Sequence, residues 1–281
     1  MKNLFALYFY RLRHSKSFWI WFGIVTGLAF SICAIVAASS YRTAYVNLDW
    51  GSFLIIVLSG LTIASTIPPL FLLSHSLVGG FLQTELHGGL TAQQIASGYS
   101  RKQIFVVSYL GGLAYSAFLY LGMVGGAILG FSFARASTSL LEGWLAIAIL
   151  ISLVVFLVCY TIGHFALMVC ANNRAGVILG IGLVFGVSVM YSIVTSLMNF
   201  LVLSDPSIVQ TEGYRNFLYA CQILFPTGQI SYAYNNLGTS STDWDRTLKI
   251  IFSIAAPIVD LCYIAGFGFA GYKVFTHKDL R

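Results

Sequence analysis

Apolar residues fall along this chain in six long, nearly unbroken runs, at 18–40, 53–73, 104–133, 144–170, 176–204 and 250–272. Each holds about the 20 residues that a helix rising 1.5 Å per residue needs to cross hydrocarbon. No period-two alternation marks a strand, and lipid cannot satisfy an open sheet edge, so every run is expected to be a helix. The connecting segments differ in kind. At 1–17, Leu4, Phe5, Tyr8, Phe9 and Leu12 share one helical face while Asn3, Ala6, Tyr10 and Arg13 lie opposite, as in a helix lying at an interface. The segment 74–103 is far longer than a connector between neighbouring spans requires, and Gly98 followed by Ser100 supplies a helix stop and a fresh N-cap. In the other long connection, 205–249, residues 217–225 (FLYACQILF) are strongly apolar but only nine long before Pro226 and Gly228. So short a stretch cannot cross, and is expected to be re-entrant or to lie along the membrane, packed against protein. Asn235, Asn236, Gly238 and the run 239–242 read as an exposed turn. The fold expected is an all-α polytopic membrane protein, one transmembrane domain over 1–281 with six spans.

Composition agrees with this reading. Residues of the set AVILMFWYC make up 58% of the 281 and charged residues 9%, whereas a water-facing surface takes about 25% charged residues. A net charge of +6 would suit nucleic acid, but its placement points elsewhere. Six spans put both termini on one side, and that side collects Lys2, Arg11, Arg13, Lys16, Arg101, Lys102, Arg174, Lys273, Lys278 and Arg281, ten of the fifteen basic residues. On the other side Arg42, Arg135, Arg215, Arg246 and Lys249 are offset by Asp49, Glu142, Asp205, Glu212, Asp243 and Asp245. The excess places both termini in the cytoplasm, and the five tryptophans (Trp19, Trp21, Trp50, Trp144, Trp244) fall at span edges, where an amphipathic ring is favoured. The basic charge is thus a topology signal; membrane lipid is the expected partner and nucleic acid is not. A cleavable signal peptide, with an apolar core of roughly 7–15 residues, does not fit the longer first run. Cys33, Cys159, Cys170 and Cys262 lie within runs and Cys221 outside, so they read as packing residues and not as a disulfide framework.

Chemistry is sparse. The chain has no Gly-x4-Gly-Lys-Ser/Thr, no His-Glu-x2-His and no Cys-x2-Cys motif, so no catalytic residue, metal or cofactor is expected on it. Ser188, in Gly186-Val-Ser-Val, superficially resembles an intramembrane nucleophile. That role needs a base within hydrogen-bond reach, and His164 lies toward the inner end of another span, so packing is the reading for both residues. Asp260 is the one carboxylate deep in a span; an acid there is costly and marks either a paired structural contact or a functional site. Pro68, Pro69 and Pro257 bend their spans. Small residues four apart, at Gly23/Gly27, Gly122/Gly126/Gly130, Gly176/Gly180 and Gly182/Gly186, let backbones approach closely. No inverted repeat relates the two halves, which argues against a secondary transporter.

The segment 74–103 carries the one motif-like stretch. Glu85, Gly89, Ile95-Ala-Ser-Gly98 and Ser100-Arg-Lys-Gln-Ile104 resemble the Glu…Gly-(Thr)-Leu…Leu-x-Ser/Pro-Gly-x-Ser-Arg-x-x-Ile pattern of ABC-2-type transporter permeases. Leu90-Thr91 stands where Thr-Leu is usual, and Ser108 where lysine is common. The six-run layout, the basic N-terminal helix and the 217–225 segment are similar to that family as well. The resemblance implies the membrane subunit of an ATP-driven exporter in a bacterial cytoplasmic membrane. Two copies, or this chain and a related permease, would pair with two separate ATPase subunits that bind ATP and Mg. It also implies a coupling helix facing those subunits, carried by Glu85, His87, Gly89, Leu90, Ile95, Gly98, Ser100 and Arg101. A pathway at the dimer centre would be lined by Thr62, Ser65, Thr66, Ser188, Ser192, Thr195, Ser196 and Asn199, with Asp260 a further candidate. Mostly apolar spans with scattered hydroxyls suit amphipathic or hydrophobic cargo: a peptide, toxin, drug or lipid. Two other classes stay open, a stand-alone ion- or proton-coupled carrier using Asp260 and an intramembrane hydrolase using Ser188.

Overall fold

The computed structural model describes residues 2–42, 90–133, 143–170, 173–236 and 243–277, and among these every regular element is helical. In chain order they are α1 (Lys2–His14), α2 (Lys16–Arg42), α3 (Leu90–Ala96), α4 (Arg101–Phe133), α5 (Gly143–Val169) and α6 (Asn173–Ser204), then a 3-10 turn (Pro206–Gln210), α7 (Glu212–Leu224), α8 (Pro226–Asn236) and α9 (Asp243–His277). Five of them, α2, α4, α5, α6 and α9, are long and apolar enough to cross a membrane. They coincide with five of the six apolar runs; the run at 53–73 lies outside the described residues. The last helix is longer than its run, because the polar stretches DWDRTLK and KVFTH extend it at either end.

Packing fixes the relative directions of these helices. α2 and α4 run parallel: Phe18 meets Tyr115 and Phe118 near one end, and further along Gly126 lies against the Thr26 backbone and Gly130 against Phe30. α5 returns antiparallel to α4, with the Tyr120 hydroxyl donating to the Ile149 carbonyl at 3.0 Å and Tyr109 paired with Thr161 at 3.1 Å. α6 turns back along α5, where Gly176 abuts Leu167. α9 runs beside α5 and antiparallel to α4, whose Phe105 touches Tyr272 and Phe275. Among the described residues, α4 and α5 are the most enclosed, and α2, α6 and α9 are buried over only a small part of their length. Two apolar clusters fill the bundle, one around Leu4, Phe105 and Phe275 at the α1 end and one around Tyr120, Phe156 and Phe252 further along.

The glycine repeats divide by role. Gly122, Gly126 and Gly130 form the face on which α2 lies, so close that a Cβ at any of them would strike Phe22, Thr26 or Phe30. Among the described residues, nothing lies within 4 Å of where a Cβ would sit on Gly23, Gly27, Gly182 or Gly186. The N-terminal helix departs from the interfacial reading in one respect. Leu4, Tyr8 and Leu12 are buried, but against the protein: Tyr8 covers Gly111 of α4. Phe9, placed by periodicity on the same face, is exposed, while Asn3, Ala6, Tyr10 and Arg13 face outward as expected.

Candidate functional site: a helical hairpin inside the bundle

The short apolar segment 217–225 proves to be part of the first arm of a helical hairpin. Asp205 caps the 3-10 turn, accepting from the Ser207 N–H at 3.0 Å and the Ser207 hydroxyl at 2.6 Å, and Thr211 caps α7 through the Tyr214 N–H. α7 stops at Phe225, whose extended backbone (φ −96°, ψ 127°) reverses the chain. Pro226 then opens α8 at the first helical position, where its fixed φ fits and its missing N–H costs nothing. Gly228 allows the tight return. A Cβ there would lie 2.8 Å from both Gln222 Cα and the Tyr191 ring, closer than a packed carbon tolerates.

Hydrogen bonds set how deep the hairpin reaches. The Thr227 hydroxyl donates to Ser188 Oγ at 2.9 Å. Ser188 lies sixteen residues before the end of α6, about 24 Å at 1.5 Å per residue. Gln229 Nε2 donates to Asp260 Oδ1 at 3.1 Å, and Asp260 sits seventeen residues from either end of α9. The Tyr263 hydroxyl donates to the Leu224 carbonyl at 3.3 Å. The tip therefore lies level with the middle of two spanning helices. Nearer its base, the Tyr219 hydroxyl donates to the Leu248 carbonyl and Tyr232 stacks on Phe252 with ring centroids 4.0 Å apart.

Asp260 and Gln229 are both fully buried. Gln229 Nε2 makes a second bond, to the Ile223 carbonyl at 2.8 Å, tying the two arms together. Asp260 is thus a paired residue, and Pro257, one turn earlier, withdraws the N–H that would have bonded the Ser253 carbonyl. Thr227, Gln229 and Tyr263 escaped the sequence reading. The signal available in the sequence is Pro226, which marks a helix start as readily as a helix end and so makes Thr227 and Gln229 first-turn residues of a second arm.

From the hairpin tip a polar stripe runs along α6. Ser188, Ser192, Thr195, Ser196 and Asn199 recur at helical spacing and, at about 100° per residue, share one face. Ser192, Ser196 and Asn199 are exposed and Ser188 and Thr195 half-buried. The hydroxyls of Ser188, Ser192 and Thr195 donate back to carbonyls four residues earlier, at 3.1, 3.1 and 3.0 Å. Such bonds let hydroxyls sit on an apolar helix without a partner helix. Thr62, Ser65 and Thr66 lie outside the described residues.

At the α1 end the loop motif takes the predicted local form. α3 begins at Leu90, Ile95 packs on the cluster there, and the helix stops at Gly98, whose φ of +88° is the left-handed conformation glycine adopts freely. Ser100 and Gln103 form a reciprocal capping box, at 3.3 and 3.0 Å, that starts α4. Arg101 Nη1 donates to the Thr276 carbonyl at 3.2 Å, joining the start of α4 to the last turn of α9. Glu85, His87 and Gly89 are outside the described residues.

The structure does not bring Ser188 and His164 together. Ser188 bonds Thr227 and Val184, whereas His164 is buried among the rings of Phe105, Tyr109 and Tyr160. Among the described residues no cluster of His, Cys, Asp and Glu is arranged to hold a metal. No protein-family model matches the chain, and no curated protein matches it.

Proposed function

We propose that this chain is the membrane subunit of an ATP-driven exporter of the ABC-2 kind, moving amphipathic or hydrophobic cargo across a bacterial cytoplasmic membrane with both termini inside. The observation that carries the reading is the link at the α1 end. α3, the Gly98 stop and the Ser100 capping box lead directly into α4, and Arg101 ties that junction to the end of α9. A force applied to the loop is thereby delivered to two spanning helices. A chain without a nucleotide-binding motif needs an outside source of work, and this junction offers a place to apply it. The expected partners are two copies of a cytoplasmic ATPase, which would hold ATP and Mg, and a second copy of this chain or a related permease.

Two further features support the reading. The parallel course of α2 and α4 agrees with two spans that enter the membrane from the same side, as the first and third of a six-span layout would. The uncovered polar stripe on α6 fits a pathway wall completed by a second permease. The test is purification of the chain from its native membrane, followed by reconstitution with the co-purifying ATPase. ATP hydrolysis stimulated by an amphipathic peptide or lipid panel is expected; uphill movement by the isolated chain without ATPase would overturn the proposal.

The buried carboxylate favours a second reading, a stand-alone proton- or ion-coupled carrier in which Asp260 is the relay. In that case Asp260→Asn abolishes transport and the purified chain works without ATP.

A further inference from the structure

The contact between Gln229 and Asp260 leaves two atoms over. Gln229 directs its amide NH2 to Ile223 O and Asp260 Oδ1, while Gln229 Oε1 and Asp260 Oδ2 are buried and accept no hydrogen bond among the described residues. The amide orientation is fixed, because the Ile223 carbonyl can only accept and the NH2 must face it. Among the described residues, the groups around the carboxyl offer no cation. α5 presents the Cys159 thiol, α9 itself the Tyr263 hydroxyl, α8 the neutral Gln229, and α7 the carbonyls of Ile223 and Leu224. An ionised Asp260 would place a bare charge against a second acceptor with one N–H between them. Burying such groups unpaired is among the costliest arrangements in a protein interior.

One proton removes both deficits. We propose that Asp260 is a proton-binding site whose proton, on Oδ2, is donated to Gln229 Oε1. The two side chains then form a two-point acid–amide pair that latches the α7–α8 hairpin into the bundle. Nε2–H to Oδ1 is the bond already seen; Oδ2–H to Oε1 is its complement. Loss of that proton to water leaves an acceptor facing an acceptor and a buried charge, and the hairpin undocks so that both can be hydrated. The latch thereby couples proton release to exposure of the bundle's interior at the hairpin end. This goes beyond the exporter reading and depends on neither the cargo nor the ATPase.

Cys221, buried on α7 one turn before the tip, reports the docked state. The experiment uses the full chain in membranes with Cys33, Cys159, Cys170 and Cys262 replaced by alanine. Labelling of Cys221 by a membrane-impermeant maleimide is followed from about pH 5 to about pH 9, bracketing the range a buried acid can reach. The rate at each pH is divided by that of the detergent-unfolded chain, which removes the intrinsic pH dependence of the thiol. Labelling is expected to be slow in acid and to rise roughly tenfold or more with pH, the effect of losing one buried hydrogen bond. Asp260→Asn supplies N–H where the acid supplied O–H, so its labelling stays slow at every pH. Gln229→Leu labels fast throughout. A wild-type rate that does not change with pH overturns the proposal, as does Asp260→Asn labelling fast in acid. These two readings decide the matter even if Gln229→Leu fails to insert.

Discussion

Thr227 donates to Ser188 across 2.9 Å, and this bond holds the hairpin tip against the middle of α6. The two residues are 39 positions apart and belong to elements that meet only because Phe225 reverses the chain. Their coupling is measurable. Ser188→Ala and Thr227→Val, singly and together, should give an interaction energy of roughly 0.6 kcal/mol, the usual size of an interhelical hydrogen bond in a membrane protein. Unfolding in mixed micelles reads it; strict additivity would show that the tip is not held here.

Gly228 should be intolerant of any side chain. A Cβ meets backbone on one side and the Tyr191 ring on the other, and overpacking of this sort costs about 1–3 kcal/mol. Gly228→Ala is expected to lower the thermal midpoint. Gly182→Ala, at a helix position open on that side, should change it little.

Gly98 tests the loop separately from the bundle. Alanine at φ +88° carries a penalty of about 1 kcal/mol, felt where the chain turns between α3 and α4. Gly98→Ala should speed hydrogen exchange over residues 90–100 while leaving exchange in α5 unchanged. In a reconstituted complex it should also reduce cargo-stimulated ATP hydrolysis. Unaltered stimulation alongside a loosened loop would count against the lever role.

Asp205 gives a pH-dependent contribution of known sign. The Ser207 hydroxyl, and then the Ser207 N–H, hold its carboxyl below the ordinary aspartate value of 3.8. The folded form thus prefers the carboxylate more than the unfolded form does. Its contribution to the turn is full above that ordinary value and disappears as pH falls through the lowered one. A carboxyl-resolved NMR titration should show a midpoint below that of an unstructured aspartate, and Ser207→Ala should move it upward.

Much of this architecture follows from one-dimensional information. Twenty or more consecutive apolar residues can only be helices in lipid, and five of the six runs coincide with helices long enough to span. Local signals did equally well where their physics is local: Gly98 and Ser100 stop and start helices because left-handed backbone and side-chain capping involve neighbours alone. Ser188, Ser192, Thr195, Ser196 and Asn199, named together in the sequence only through the family resemblance, share one face of α6 because their spacing is helical.

What tertiary structure decided is which faces meet. The Gly122/Gly126/Gly130 repeat packs α2, while Gly182 and Gly186 meet nothing among the described residues, though the two patterns look alike in sequence. On the apolar face of α1, Leu4, Tyr8 and Leu12 are buried, Tyr8 against Gly111 of α4, while Phe9 stays exposed. Gln229, an unremarked polar residue after a proline, becomes the partner of Asp260 only when the hairpin folds inward. Hydrophobicity specifies that a segment leaves water and is indifferent to what it leaves water for. Partner choice depends on shape and on donor–acceptor geometry between residues distant in the chain, and those exist only once the helices are assembled.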